Sequence, residues 1–237
     1  MQIQAVLFDL DGTLLPMDQE IFIKAYFGGL CGRLAPYGYD PKKLVAAIWQ
    51  GTAAMVKNDG KCTNEDVFWN AFAQIFGENV RQDEPKFEAF YREDFADRVR
   101  ESCGFDSRAR QVIDLVKQKG WKTILATNPI FPSIATEIRM RHAGLSPDDF
   151  ELYTTYENSR YCKPNPMYYK EILTQCKLDP AACVMVGNDV DEDMIAQSLG
   201  MRTFLLTDCL INKSQTDINL YPHGGFDDLL AFLEALA

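Results

Sequence analysis

Apolar residues are distributed in two distinct ways along this chain. Short apolar runs stand at Ile3–Phe8, Trp121–Ala126, Phe150–Thr155, Cys183–Val186 and Arg202–Leu206. They are too short and too continuous for amphipathic helices, and they match parallel strands covered on both faces. Helical punctuation lies between them. Asp106 is placed to cap a helix that stops before Gly120, and Asn165-Pro166 reads as an N-cap with proline at the first helical position. Gly144 and Gly200 stand where helix C-caps belong. Strand and helix alternate from Asp106 onward, which predicts right-handed βαβ units in a doubly wound sheet. A last apolar series, Phe226, Leu229, Leu230, Leu233 and Leu236, predicts a C-terminal helix packed on that sheet.

The stretch from Met17 to Cys103 has no strand pattern. Asp40-Pro41 and Glu84-Pro85 open helices, and Thr63-Asn64-Glu65-Asp66 resembles a capping box. Leu44, Ile48 and Met55, then Val67, Phe68, Ala71, Phe72 and Ile75, follow helical spacing, with Trp49 and Trp69 expected in the core of this region. The expected fold is therefore α/β, a Rossmann-like doubly wound parallel sheet with an inserted all-helical cap. Residues 1–16 and 104–237 would form the core and 17–103 the cap, with hinges near Leu15–Met17 and Ser102–Phe105. Gly28, Gly29 and Gly32 carry no GK[ST] after them, so a helix break or tight turn is expected there rather than a phosphate loop.

Composition narrows the partners. The net charge is −10 over 237 residues, which repels nucleic-acid backbones and anionic membranes, so neither is expected as a partner. A phosphorylated ligand would need a site that overturns this field locally. No apolar run approaches the roughly 18 residues that span a bilayer, and the acids from Asp9 onward argue against a signal peptide. Seven cysteines without a CxxC and only two histidines argue against a disulfide framework or a zinc centre. A reduced, cytoplasmic chain is the expectation.

In a doubly wound sheet, ligands bind at the carboxyl ends of the strands. Asp9, Asp11, Gly12 and Thr13 follow the first run, and Thr127 and Asn128 follow the second. Lys163 follows the third, and Gly187, Asn188, Asp189 and Asp193 follow the fourth. Acids, a hydroxyl and a lysine on one edge suit phosphoryl transfer. A carboxylate attacks phosphorus, a second acid protonates the leaving alcohol, and magnesium separates the anions. A hydroxyl, backbone amides and a lysine hold the phosphoryl oxygens.

At these residues the chain resembles the haloacid dehalogenase-like hydrolase superfamily, in its helical-cap phosphatase and phosphoglucomutase-like branch. The matching stretches are Phe8–Leu14, Ala126-Thr127-Asn128, Cys162–Pro166 and Val186–Asp193. The resemblance implies a magnesium-dependent phosphatase acting on a small phosphorylated metabolite through an aspartyl-phosphate. Asp9 would be nucleophile and metal ligand. Asp11 would be general acid/base and would offer its backbone carbonyl to the metal. Gly12 and Thr13 would shape the substrate loop, Thr127 and the Asn128 amide would bind phosphoryl oxygens, and Lys163 would neutralise the nucleophile and phosphoryl group. Asn188, Asp189 and Asp193 would complete the metal site. Gly187 is followed by asparagine where the family more often has aspartate, so Asn188 and Asp189 compete for direct ligation and charge favours Asp189. A phosphomutase is the alternative within the family. A phospho-aspartate signalling or binding domain is the alternative from another class, disfavoured by chain length and by the spaced acid pair.

Overall fold

The computed structural model describes residues 2–236. Six parallel strands, β1 (Ala5–Phe8), β2 (Lys122–Leu125), β3 (Leu152–Tyr153), β4 (Cys183–Gly187), β5 (Arg202–Leu206) and β6 (His223–Gly224), form one sheet. Their order is β3-β2-β1-β4-β5-β6. All residues of β1 and β4 are buried, which explains why their sequences show no alternation: each face has its own helical cover. Val6, Phe8, Val184 and Val186 point to the side of α6 (Arg108–Gln118), α7 (Ser133–His142) and α9 (Phe226–Ala235). Ala5, Leu7, Cys183 and Met185 point to the opposite side, against Tyr168, Tyr169 and Ile172 of α8 (Pro166–Cys176). This is the doubly wound α/β core that the strand pattern predicts.

Register sets the site. Phe8 stands level with Leu125 on one side and Val186 on the other. The chain therefore leaves β1, β2 and β4 at one height. The Asp9 amide donates to the Val186 carbonyl at 2.9 Å and the Ala126 amide to the Phe8 carbonyl at 2.7 Å, so the ladder continues into the loops that carry the candidate residues.

Between β1 and α6 come five helices: α1 (Gln19–Leu34), α2 (Pro41–Val56), α3 (Asn64–Phe76), α4 (Glu84–Glu93) and α5 (Phe95–Ser102). Asp18, Asp40 and Thr63 accept backbone amides as side-chain N-caps, and the prolines at 41 and 85 lie in the first turns. Where the chain enters and leaves this helical segment, Met17 bridges Cys103 and the Gly104 amide donates to the Pro16 carbonyl at 2.7 Å. Further ties hold the segment over the sheet edge, among them the Asn64 and Glu65 amides on the Ser159 and Tyr156 carbonyls. Asn64, fully buried, donates to the Pro129 carbonyl at 3.2 Å. Phe131, in the loop after β2, packs against Phe22 and Tyr26 of α1.

Four expectations change. No break occurs at Gly28, Gly29 or Gly32: α1 runs unbroken through all three. At Gly29 the reason is packing, since a Cβ there would sit 2.9 Å from Arg98 and 3.0 Å from Phe90. Trp49 is not core but 48% exposed, on the cavity wall described below. The third strand shrinks to Leu152–Tyr153, and His223–Gly224 adds a sixth that its sequence did not announce. After Asp193 the chain makes 3-10 turns over Met194–Leu199 rather than an α-helix, before Gly200 closes them at φ +91°.

Two glycine substitutions test the cap packing, because their surroundings differ. Gly28 meets nothing within 4 Å, so Gly28→Ala should stabilise by about 1 kcal/mol through helix propensity. A Cβ at Gly51 would lie 2.5 Å from the Phe68 ring, where α2 crosses α3. Gly51→Leu should therefore destabilise by roughly 1–3 kcal/mol. Thermal unfolding of the two variants should move in opposite directions.

Candidate active site

Asp9 follows the last residue of β1 and is 7% exposed. One carboxylate oxygen, Oδ1, accepts from Lys163 Nζ at 2.8 Å, and the other accepts from the Thr13 hydroxyl at 3.1 Å. Lys163 reaches this point from the loop after β3. Its side chain is 1% exposed, and its ammonium also donates to Asp193 Oδ1 at 2.6 Å. Burial alone would push the Lys163 pKa down, but Asp193 and Asp9 hold it well above the ordinary lysine value. It is a permanent cation between two carboxylates. Burial drives Asp193 the other way, toward its neutral form, against the pull of Lys163.

Thr13 links the first and fourth loops, since its hydroxyl also lies 3.1 Å from Asn188 Oδ1. The Asn188 amide nitrogen is turned away, donating to the Cys209 carbonyl at 2.6 Å. That fixes the side-chain oxygen toward Thr13. Gly12 makes the close approach feasible: its φ is +86° and a Cβ would lie 2.3 Å from Asn188 Nδ2. Asp189 behaves differently. Its Oδ1 accepts the backbone amides of Asp191 and Glu192, as a turn cap does. Both oxygens of Asp193 are occupied too, Oδ1 by Lys163 and Oδ2 by the Asp189 amide at 3.0 Å.

Asp11 stands apart from this cluster. Its Oδ2 pairs with Arg139 of α7, and its Oδ1 is buried without a hydrogen-bond partner. Burial raises the Asp11 pKa, Arg139 pulls it back, and Asp9 adds to the rise. Arg139 is completely buried, lies 4.5 Å over the Phe131 ring and donates from Nε to the Ala135 carbonyl at 3.2 Å. Thr127 lines the same cavity while its backbone carbonyl is held by Thr154 and Tyr168. Asn128 accepts the Lys163 amide at 3.3 Å and donates to Glu192 at 3.1 Å.

All the residues singled out after the four strands thus gather at one edge. Among the described residues, however, no three His, Cys, Asp or Glu side chains are grouped to hold a metal ion. The reason is visible: Lys163 lies between Asp9 and Asp193, Asp11 turns to Arg139, and Asp189 caps a turn. What faces Thr13 is one carboxylate oxygen and one amide oxygen, a hard-donor pair that suits magnesium. Arg139 and Glu192 were not foreseen. Nothing in the run Ser133–His142 separates Arg139 from Arg141, which points outward to Glu137. Cys162, next to Lys163 in sequence, is buried, and burial pushes its thiol up to about 12, away from the thiolate form.

With two carboxylates, a lysine and a hydroxyl gathered at the ends of a doubly wound sheet that carries an inserted helical segment, the chain can be set beside known proteins. The chain belongs to the haloacid dehalogenase-like hydrolases, whose family model matches residues 3–198. Among curated proteins it is similar to the pyrophosphatase PpaX of Bacillus velezensis, at 22% identity over 85% of this chain and 82% of that protein. Among solved structures it resembles a 2-haloacid dehalogenase from Pseudomonas syringae, with TM-score 0.64, 22% identity and 99% of each chain covered. It also resembles a predicted phosphoglycolate phosphatase from Haemophilus somnus, with TM-score 0.57, 18% identity and 98% of each chain covered. These likenesses define the fold and a hydrolase family that holds both phosphatases and dehalogenases.

Lys163 is the residue whose loss the site tolerates least. Lys163→Met would leave Asp9 and Asp193 buried without their shared cation, and breaking a buried pair costs roughly 3–5 kcal/mol. Chemical denaturation should show a loss of that size, together with loss of hydrolytic activity.

Proposed function

We propose that the protein is a magnesium-dependent phosphatase that hydrolyses a small phosphorylated metabolite through an aspartyl-phosphate. The observation that carries this reading is Asp11, a partly buried acid beside the nucleophile position whose Oδ1 is buried and without a partner. A departing halide needs no proton, whereas a departing alkoxide does. An acid at this position therefore favours ester cleavage over dehalogenation, and the pyrophosphatase relative favours phosphoryl chemistry.

In this reading an Asp9 oxygen forms the bond to phosphorus while the ester P–O bond breaks. The leaving oxygen takes the proton from Asp11, whose carboxyl burial keeps inclined to the neutral form. Oδ1, free of Arg139, is the oxygen suited to carry that proton. Water then attacks phosphorus and gives its proton to Asp11, the Asp9–phosphorus bond breaks and inorganic phosphate leaves. Arg139 holds Asp11 in place through Oδ2 and keeps it from turning toward Lys163. Thr127, the Asn128 amide and Lys163 bind the phosphoryl oxygens, with Lys163 steadied by Asp193.

Magnesium, when bound, supplies positive charge between the nucleophile and the phosphoryl group. The residues to hold it are Asp9, Asn188 through its side-chain oxygen and Asp11 through its backbone carbonyl. Asn188 is preferred to Asp189 because its oxygen already shares Thr13 with Asp9, while Asp189 is engaged with two backbone amides. Asp193 supports the site through Lys163 rather than by ligation.

Four measurements test the reading. Asp9→Asn should lower kcat by roughly 10⁴-fold or more. Asp11→Asn should release one equivalent of p-nitrophenol from p-nitrophenyl phosphate and then stall, because this leaving group needs little protonation but the second step needs a base. A steady rate with no burst would remove Asp11 from that role. A chelator should abolish phosphate release and magnesium should restore it. Asn188→Ala should raise the magnesium concentration for half-maximal rate more than Asp189→Ala does, and the reverse ranking would return the ligand role to Asp189.

A further inference from the structure

Between the cap and the sheet edge lies a cavity of about 400 Å³, large enough for a small ligand. Its two walls differ in chemistry. The sheet edge supplies the polar residues, including Asp9, Asp11, Thr127 and Asn188. The cap supplies Phe22, Tyr26 and Phe27 from α1, Ile48 and Trp49 from α2 and Trp69 from α3. Among the described residues, no charged side chain of the cap lines it.

That absence is informative because the acids at the sheet edge are numerous. The one lysine among the lining residues is Lys213, an exposed residue on the core side. Lys163 and Arg139 are already committed to Asp9, Asp193 and Asp11. A second anionic group on the leaving-group side would lose its hydration and find no cation on the cap wall. The polar atoms there are neutral. The Tyr26 and Tyr91 hydroxyls satisfy each other at 3.0 Å, and burial pushes the Tyr26 pKa up to about 12. Trp49, 48% exposed, lies 5.6 Å from the Phe27 ring, and both rings line the cavity.

The geometry points to a phosphate monoester of an uncharged, apolar alcohol of about the size of an aromatic ring, its hydrocarbon part packed on Phe27, Trp49 and the rings around them and its phosphoryl group at Asp9. This deepens and rests on the phosphatase reading above. It sets the chain apart from substrates whose leaving group is itself an anion, such as pyrophosphate or a phosphorylated carboxylic acid.

The test is a substrate series on the full chain with magnesium: methyl, butyl, hexyl and 2-phenylethyl phosphates against phosphoglycolate and pyrophosphate. kcat/KM should climb along the alkyl series and be at least about 100-fold higher for 2-phenylethyl phosphate than for phosphoglycolate, since a single methylene in an apolar pocket is worth roughly 10–200-fold. Trp49→Ala should narrow the ratio of 2-phenylethyl to methyl phosphate by about tenfold, the scale of a lost ring contact. Thr52→Arg, which puts a cation on the cap wall, should shift preference toward phosphoglycolate. A flat series, or wild-type preference for phosphoglycolate or pyrophosphate, would overturn the inference and leave the phosphatase reading standing. If no ester turns over at all, the phosphatase reading fails instead. Calorimetry with 2-phenylethylphosphonate and phosphonoacetate then decides the cavity separately: tighter binding of the phenyl compound supports it, and equal or reversed affinities overturn it.

Discussion

The site is organised around one buried ammonium. Lys163 is enclosed by α8 aromatics and by two carboxylates, and neither side of this pairing is stable alone. Without the lysine, the burial that already favours the neutral form of Asp193 would go unopposed. Without the acids, the lysine would shed its proton. The three side chains come from the ends of β1 and β4 and from the loop after β3. Satisfying them together therefore requires the strands to end at one height, which the parallel register provides. The same cluster sets one cation against two carboxylates, so it does not by itself overturn the field of a chain of net charge −10.

A second ion pair, between fully buried Arg139 and partly buried Asp11, performs a different task. Arg139 restrains Asp11 from the side of α7 and stacks on Phe131, which also packs against Phe22 and Tyr26 of the cap. The acid, the helix behind it and the cap are thus one packed unit. Any motion of the cap would be felt at Phe131 and so at the residue that holds Asp11. Ties between the cap and the rest of the chain include the Met17–Cys103 bridge, the Asn64 side chain on the Pro129 carbonyl, the Asn64 and Glu65 amides on the Ser159 and Tyr156 carbonyls, and this aromatic junction.

Polar and apolar work are divided between the two parts of the molecule. The sheet edge carries hydroxyl, amide, carboxylate and ammonium groups, while the cap wall is built from uncharged side chains, aromatic and aliphatic apart from Gln19 and Thr52. The apolar series along α2 that reads as helix packing serves two surfaces at once. Leu44 and Ala47 are buried in the cap, whereas Ile48 and Trp49 face the cavity. Periodicity marks a helix as having an apolar face, but not which neighbour that face meets.

Five of the six strands, the inserted helical region and the gathering of the four candidate stretches at one edge of the sheet were legible in the sequence because each rests on local rules. Continuous apolar runs need cover on both faces, Asp40-Pro41 and Asn165-Pro166 satisfy helix starts, and Asp9, Thr127, Lys163 and Asn188 follow strands whose ends line up in any doubly wound sheet. What lay beyond reach depends on contacts between distant segments. Arg139 looks like Arg141 until the fold turns one toward Asp11 and the other toward Glu137. Gly29 reads as a helix breaker until Arg98 and Phe90 arrive to occupy the space of its missing side chain. Asp189 has the charge of a ligand, but two local amides take its Oδ1, and Asn188 is oriented by a carbonyl 21 residues away. Sequence determined which groups reach the edge of the sheet. Tertiary structure decided which of them face one another, because a buried charge is oriented by whatever opposite charge or dipole the rest of the chain brings within hydrogen-bonding distance.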